Sequence, residues 1–139
     1  GCGKGFMLHD FKEDMPNCTV SGIDISEYAI GQAMPSVKPF LKVGSADKLD
    51  FPDNSFDLVI SINSIHNLPL DRCKKSLQEI ERVSRGNSYI TVDAWRNEEE
   101  HQNVLKWVLT AETYMHVEEW KKLFPEIGYT GDYWWFIAD

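Results

Sequence analysis

The sequence lacks long hydrophobic runs, which excludes a membrane-spanning protein at the outset. Apolar runs such as 134–138 are far shorter than the roughly 20 residues that cross a bilayer. Positive charge is also scarce, since 14 Lys and Arg stand against 22 Asp and Glu, for a formal net charge of -8. No segment combines cations with interleaved aromatic side chains, so a dedicated nucleic-acid binder is not expected. An acidic enzyme can still act on RNA through a local patch.

Cysteine is scarce as well, and the few cysteines do not pair along the chain. Cys2, Cys18 and Cys73 are odd in number and widely spaced, without a CxxC motif. This pattern argues against a zinc knuckle or a redox motif and is typical of reduced thiols in the cytoplasm. No converging set of ligand residues predicts a metal site, because Glu98, Glu99 and Glu100 fit the solvated start of a helix.

The composition is that of one globular domain spanning 1–139. The 139 residues are 42% hydrophobic and 26% charged, a balance typical of a folded domain. Short β-rich runs alternate with segments whose apolar residues recur every three or four positions. We predict strands at 20–24, 40–46, 56–62, 89–94 and 133–138, and helices from Phe6 and over 26–34, 71–84, 104–109 and 117–127. This alternation predicts an α/β fold with an open, mainly parallel sheet and helices on both faces.

A glycine-rich turn, formed by Gly1, Gly3 and Gly5, leads directly into the first predicted helix. In such a turn, backbone N–H groups and bare Cα atoms can approach a ligand closely. Asp24 ends the next strand, where α/β nucleotide-binding units place a carboxylate that accepts hydrogen bonds from ribose hydroxyls. Phe6 stands where a third glycine would complete G-x-G-x-x-G, which argues against a dinucleotide and favours a nucleoside without phosphates.

These motifs together make the chain resemble a class I S-adenosylmethionine-dependent methyltransferase of the broad group that modifies small molecules. The resemblance runs through GCGKG at 1–5, GIDIS at 22–26 and GSADKLDFPDNSFDLVISINSIHNL at 44–68, and weakens beyond that segment. It implies S-adenosylmethionine as the cofactor and a small-molecule methyl acceptor with an oxygen, nitrogen or carbon nucleophile. It is specific for the superfamily, although not for any one substrate.

The resemblance also implies roles for individual residues. The glycines at 1, 3 and 5 would line the methionine end of the cofactor, Asp24 would bind the ribose diol, and Ile25 would pack on the adenine. Either Asp47 or a backbone amide would hold the adenine edge, because many relatives have an acidic residue where Ser45 stands here. The full set of implied cofactor residues is Gly1, Gly3, Gly5, Asp24, Ile25, Ser45, Ala46, Asp47 and Asn63.

The segment from Asn63 to Asn67 follows the third predicted strand at its carboxyl end, the edge where open α/β sheets bind ligands. The resemblance places it beside the methionine moiety and facing the acceptor. His66 is therefore the candidate catalytic residue, as a general base or an orienting hydrogen-bond partner, because imidazole exchanges protons near neutral pH. Asp93 and Trp95 could also border the acceptor, but helix capping for Asp93 and core packing for Trp95 are the simpler interpretations.

Two other functions are compatible with the same motifs. A nicotinamide-dependent oxidoreductase would use the same glycine turn and Asp24, although Phe6 at the position of the third glycine argues against a dinucleotide cofactor. A non-catalytic nucleotide-binding or assembly module is the other alternative, and a homo-oligomer is possible. A class I sheet has a central strand immediately before the glycine turn, so we expect further residues to precede Gly1; the alternative is a strand borrowed from a partner.

Overall fold

The computed structural model describes residues 1–138, which fall into two compact units, 1–46 and the part from Asp47 onward. Every paired strand in both units runs parallel to its neighbour. The mainly parallel α/β class predicted from the alternation of elements is therefore confirmed. The prediction of a single domain over 1–139 stays a prediction.

The first unit is a small α/β arrangement around the glycine turn. It contains helix α1 (Phe6–Asp14), strand β1 (Gly22–Asp24), helix α2 (Glu27–Gly31), a 3₁₀ turn (Lys38–Phe40) and strand β2 (Leu41–Val43). The two strands pair from Gly22 opposite Leu41 to Asp24 opposite Val43. Three buried apolar residues form the core of the unit, Ala33, Val37 and Leu41, and partly buried side chains from the turn and both helices pack against them.

Local sequence explains where α2 begins. Ser26 has extended backbone, and its hydroxyl accepts the N–H of Ala29 at 3.1 Å, the bond that a serine at the N-cap typically makes. The helix ends at Gly31, earlier than the predicted end at residue 34. Strand β2 is also shorter than predicted, because Lys38–Phe40 forms the 3₁₀ turn and the strand ends at Val43.

The second unit is a four-stranded sheet with helices. Strand β3 (Val59–Ile62) is followed by a 3₁₀ turn (Ile65–Asn67), helix α3 (Leu70–Val83), strand β4 (Ser88–Trp95), helix α4 (Glu98–Trp107), strand β5 (Met115–His116), helix α5 (Val117–Glu126) and strand β6 (Asp132–Phe136). Strand β4 is central: β3 pairs with its residues 88–91, β6 with residues 89–93 and β5 with residues 94–95. The two-residue strand β5 is absent from the predicted elements.

Two burial expectations are wrong for this unit. The nearly continuous apolar run at 56–62 predicts a strand buried on both faces, but within Val59–Ile62 only Ser61 is buried, and Ile62 is exposed. Within its unit β3 pairs only with β4, so its other edge has no strand against it. For the tryptophans at 107, 120, 134 and 135 the sequence predicts burial in the core or in an interface. Core burial is wrong for Trp107 and Trp134, which are 60% and 68% exposed, whereas Trp120 is fully buried.

Helix α3 packs as the periodicity predicts, with Cys73, Leu77 and Ile80 buried. Helix α5 buries Trp120 and Phe124, and the Phe124 ring contacts an aromatic group from the end of the chain: Tyr129, Tyr133 and Trp135. Burial of large rings of this kind supplies much of the stabilisation of a small core. None of the helices in residues 1–138 is long and apolar enough to cross a lipid bilayer.

Candidate functional site

The glycine turn has backbone conformations that require glycine at two of its positions. Gly3 has φ +54° and Gly5 has φ +80°, in the left-handed region that other residues rarely adopt. A Cβ added at Gly5 would lie 2.7 Å from Cγ2 of Val37, so close packing also excludes a side chain there. A Cβ added at Gly3 would meet nothing within 4 Å. The turn therefore leaves open space beside Gly3.

The Asp24 carboxylate faces this turn. Its Oδ2 accepts the N–H of Gly3 at 2.8 Å, and its Oδ1 accepts the N–H of Ser26 at 2.8 Å. None of the ion pairs formed by side chains in residues 1–138 includes Asp24. A carboxylate has about four lone-pair sites, so two of them stay available to hydroxyl donors. The arrangement fits the ribose of a nucleoside cofactor next to a side-chain-free turn.

Ile25 follows Asp24 directly and is 65% exposed. A large apolar side chain in solvent at the carboxyl end of a parallel strand gains free energy when a flat apolar ring covers it. The exposure fits the role of packing on adenine that the resemblance implies.

The three residues proposed to hold the adenine edge fall on both sides of the unit boundary. Ser45 and Ala46 end the first unit and are partly buried, and Asp47 begins the second. Asp47 makes a bidentate ion pair, with Arg72 Nε at 2.7 Å from Oδ2 and Arg72 Nη2 at 3.1 Å from Oδ1. This ion pair orients the carboxylate and already uses part of its accepting capacity.

Helix α3 also holds the backbone that follows Asp47, a contact that sequence reasoning missed. Glu79 accepts the N–H of Leu49 at 2.7 Å. Arg82 donates to the carbonyls of Leu49 at 2.9 Å and Phe51 at 2.8 Å, and pairs with Asp53 at 2.7 Å. The spacing of Glu79 and Arg82 on one helix is visible in the sequence, but their loop partners, about 30 positions away, are not.

Asn63 directly follows β3 and has a strained conformation that the neighbouring strand β4 supports. Its φ of 46° is left-handed, which asparagine tolerates better than most residues. Its N–H donates to Oγ1 of Thr91 at 2.9 Å, and that hydroxyl donates to Oδ1 of Asn63 at 2.7 Å. The reciprocal contact fixes the turn that leads to His66.

His66 and Asp93 form a buried pair in the second unit. They are 3% and 6% exposed, and His66 Nε2 lies 3.5 Å from Asp93 Oδ1. Asp93 sits inside β4, so the expectation that it caps a helix is wrong. His66 Nδ1 is buried without a hydrogen-bond partner in the described part of the chain. Burial lowers the pKa of His66, while the Asp93 carboxylate and the Thr91 carbonyl raise it in part; burial raises the pKa of Asp93.

A segment between α4 and β5 is bound to the backbone around His66. The N–H groups of Glu112 and Thr113 both donate to the His66 carbonyl, at 3.0 and 2.9 Å. The Thr113 hydroxyl donates to the Leu68 carbonyl at 2.7 Å. The sequence contains no local signal for the contacts of Glu112 and Thr113, because both residues lie more than 40 positions from their partners.

Trp95 is partly buried, and its ring stacks on His101 with centroids 4.2 Å apart.

A cavity of about 300 Å³ opens elsewhere in the second unit, between α3 and α5. Lysine and glutamate side chains line it together with Leu70, Met115 and Leu123. It includes none of the predicted site residues, so we do not associate it with the chemistry of His66 or Asp24.

Comparison with protein families matches residues 1–92 to the family described as Methyltransferase domain. The matched region contains the glycine turn, Asp24, Asp47 and the segment around His66. It ends just before Asp93. The match favours a methyltransferase over the oxidoreductase alternative.

Two curated relatives and one solved structure are similar to the chain. A tRNA (carboxymethyluridine(34)-5-O)-methyltransferase of Arabidopsis thaliana is 32% identical over 122 residues, covering 86% of this chain and 28% of the relative. A demethylmenaquinone methyltransferase of Symbiobacterium thermophilum is 32% identical over 105 residues, covering 67% and 40%. A SAM-dependent methyltransferase from Archaeoglobus fulgidus is 22% identical with a TM-score of 0.71, covering 92% of this chain and 57% of that one.

The chain spans about half or less of the length of the curated relatives that it matches. The solved structure shows that the fold is that of S-adenosylmethionine-dependent methyltransferases. The resemblance inferred from GCGKG, GIDIS and the 44–68 segment is confirmed. The chain therefore belongs to the methyltransferase domain family.

Proposed function

We propose that the protein transfers a methyl group from S-adenosylmethionine to an oxygen, nitrogen or carbon nucleophile of a small-molecule acceptor. The observation that carries this proposal is the Asp24 carboxylate, which accepts the Gly3 N–H while keeping lone pairs for ribose hydroxyls. The family match and the open space beside Gly3 support it.

Each proposed cofactor residue has a separate task. Gly1, Gly3 and Gly5 leave room for the methionine end, Asp24 binds the ribose diol, and Ile25 covers the adenine. Ser45, Ala46 and Asp47 border the adenine edge, and Asn63 shapes the turn beside the methionine end. When bound, S-adenosylmethionine supplies a methyl group already activated by a positive sulfur.

The protein's contribution is mainly to hold two reactants in line and to exclude water. Positioning of this kind can supply on the order of 7–11 kcal/mol of the barrier. His66 is proposed as the catalytic residue that accepts a proton or orients the acceptor. Its neutral imidazole, favoured by burial, suits a base better than an imidazolium does.

A small-molecule acceptor is favoured by the charge of the chain. A net charge of -8 opposes association with a polyanion, because nucleic-acid affinity comes largely from cations that neutralise phosphates. The relative from Symbiobacterium thermophilum is a demethylmenaquinone methyltransferase, whereas the relative from Arabidopsis thaliana is a tRNA methyltransferase. A tRNA acceptor is thus the second candidate, and methylation of bulk tRNA by the protein would favour it.

The three cysteines are free in the structure. We therefore also propose a cytoplasmic location, where thiols stay reduced.

Calorimetry with S-adenosylmethionine and with its demethylated product tests the cofactor proposal. We expect binding by the wild type and about 10- to 100-fold weaker binding by Asp24→Asn, because a hydrogen bond to a charged group contributes about 1.5–3 kcal/mol. Asp10→Asn removes the same charge from an exposed position on α1 and should bind as the wild type does. Thermal unfolding checks that both variants are folded.

Two outcomes contradict the proposal. One is the absence of binding of both compounds to the folded wild type. The other is binding by Asp24→Asn with wild-type affinity. Binding of NAD in place of S-adenosylmethionine would support the oxidoreductase alternative. Binding of S-adenosylmethionine without any methyl transfer would favour the non-catalytic module.

A further inference from the structure

Asp93 lies where it can control the protonation of His66. The two side chains approach each other through Nε2 and Oδ1, at 3.5 Å, and both are more than nine-tenths buried. In water such a contact would be weak, but inside a protein the lower effective dielectric strengthens it. A buried carboxylate next to a ring nitrogen favours the tautomer in which that nitrogen carries the proton.

The second ring nitrogen has no such partner. Nδ1 of His66 is buried and makes no hydrogen bond to any group in residues 1–138. Buried polar atoms without partners are rare in folded proteins and often mark a functional position or a bound molecule. The Thr91 carbonyl also acts on the ring and favours its protonated form, but it makes no hydrogen bond to Nδ1. If Nε2 carries the proton, Nδ1 therefore keeps its lone pair.

The other charged side chains and the histidines on the elements around the pair are exposed or only partly buried. Helix α3 carries Arg72, and the segment bound over His66 carries Glu112; both side chains are exposed. Strand β4 contributes Asp93 itself, and β5, paired with the end of β4, contributes His116. Asp93 is therefore the charged group whose position relative to the imidazole is fixed by burial.

We propose that Asp93 is a positioning residue for His66, holding the ring with Nε2–H towards its carboxylate and leaving the Nδ1 lone pair to accept a proton. In this arrangement His66 takes up a proton from an acceptor whose nucleophilic atom loses one during methyl transfer. Nδ1 is closed off from solvent in this structure, so an acceptor reaches it only by displacing the groups that cover it. The proton would then pass to Nδ1 while the electron pair it leaves forms the bond to the methyl carbon. The pair of the broken carbon–sulfur bond would stay on sulfur, and the proton would later leave His66 for water. The catalytic part rests on the proposed function.

Nitrogen-15 NMR of the imidazole groups in the full chain tests the proposal without any acceptor. We expect His66 in the wild type to show an unprotonated Nδ1 and a protonated Nε2 at pH 7.5. Asp93→Asn should shift the equilibrium towards the other tautomer and lower the pKa of His66 further, because the carboxylate charge that favours the protonated ring is lost. Asp57→Asn, which changes an exposed carboxylate in the same unit, should leave the His66 signals unchanged.

An Nδ1–H tautomer in the wild type would overturn the proposal, and so would a His66 signal that does not respond to Asp93→Asn. If Asp93→Asn fails to fold, the tautomer of His66 in the wild type still tests the proposal. The proposed function fails by a different measurement, the calorimetry with the cofactor, so the two failures are distinguishable.

Discussion

Asp24 is the residue on which the proposed cofactor site depends, because it joins two features that are 21 positions apart in the chain. Its bond to Gly3 holds the turn against the end of β1, and its bond to Ser26 holds the start of α2. One carboxylate thus organises the backbone around the open space and keeps lone pairs for a ligand. Asp24 and the glycines could be predicted together because the motif sets their spacing. The His66–Asp93 pair could not, because no motif links residues 27 positions apart.

Burial of His66 predicts how stability changes with pH. Because the pKa of His66 is lowered in the folded state from its ordinary 6.5, the unfolded chain binds more protons below that pH. The free energy of unfolding should therefore fall as the pH is lowered from 7.5 to 5.5. The raised pKa of Asp93 acts in the opposite direction, so the comparison between variants isolates the contribution of His66.

Urea unfolding across this pH range measures the effect. His66→Gln should flatten the dependence, since the residue that takes up the proton on unfolding is gone. His9→Gln makes the same change at a partly exposed histidine in the first unit and should keep the wild-type slope. A slope that is equal in His66→Gln and the wild type would show that another group is responsible.

At the scale of elements, helix α3 does more than cover the sheet. Its buried side packs through Cys73, Leu77 and Ile80, and its polar side binds the loop after Asp47 through Arg72, Glu79 and Arg82. The helix N-terminus also follows the turn that contains His66. A single helix therefore supports two segments that the proposed function uses.

Removal of Arg82 should loosen this loop. Arg82→Ala loses the contacts to the Leu49 and Phe51 carbonyls and to the Asp53 and Glu79 carboxylates. We expect a lower urea midpoint and faster proteolysis at 47–54 than in the wild type. Arg96→Ala is the matched control, because Arg96 is exposed and pairs with Glu100 on α4. Equal proteolysis of the two variants would contradict the role of Arg82.

Sequence patterns predicted the elements wherever periodicity and capping agree. Helix α3 matches within one residue of 71–84 at each end, since its apolar spacing is regular. The shortest elements were missed or misjudged: β5 has two residues, and the 3₁₀ turn at Lys38–Phe40 shortened β2. Such elements depend on pairing with distant residues more than on local propensity. The burial of β3 was wrong for the same reason, because burial depends on neighbours that a run of apolar residues does not specify.

At the scale of the whole molecule, the two compact units unfold either together or separately. The first unit has 46 residues and a core of three buried side chains, and chains near this size rarely supply enough buried surface to be stable alone. A single domain over 1–139, as predicted from composition, implies one cooperative transition. All five tryptophans lie beyond Asp47, so their fluorescence reports on the second unit only.

Val37→Ala separates the two possibilities. Val37 is fully buried in the first unit, and truncating a buried aliphatic side chain costs on the order of 2 kcal/mol. If the units are coupled, the tryptophan transition midpoint should fall by about 4–8 °C, although every tryptophan belongs to the other unit. Val43→Ala makes the same chemical change at an exposed position on β2 and should leave the midpoint within about 1–2 °C of the wild type. An unchanged tryptophan transition, with faster amide exchange confined to residues 1–46, would show that the units unfold separately.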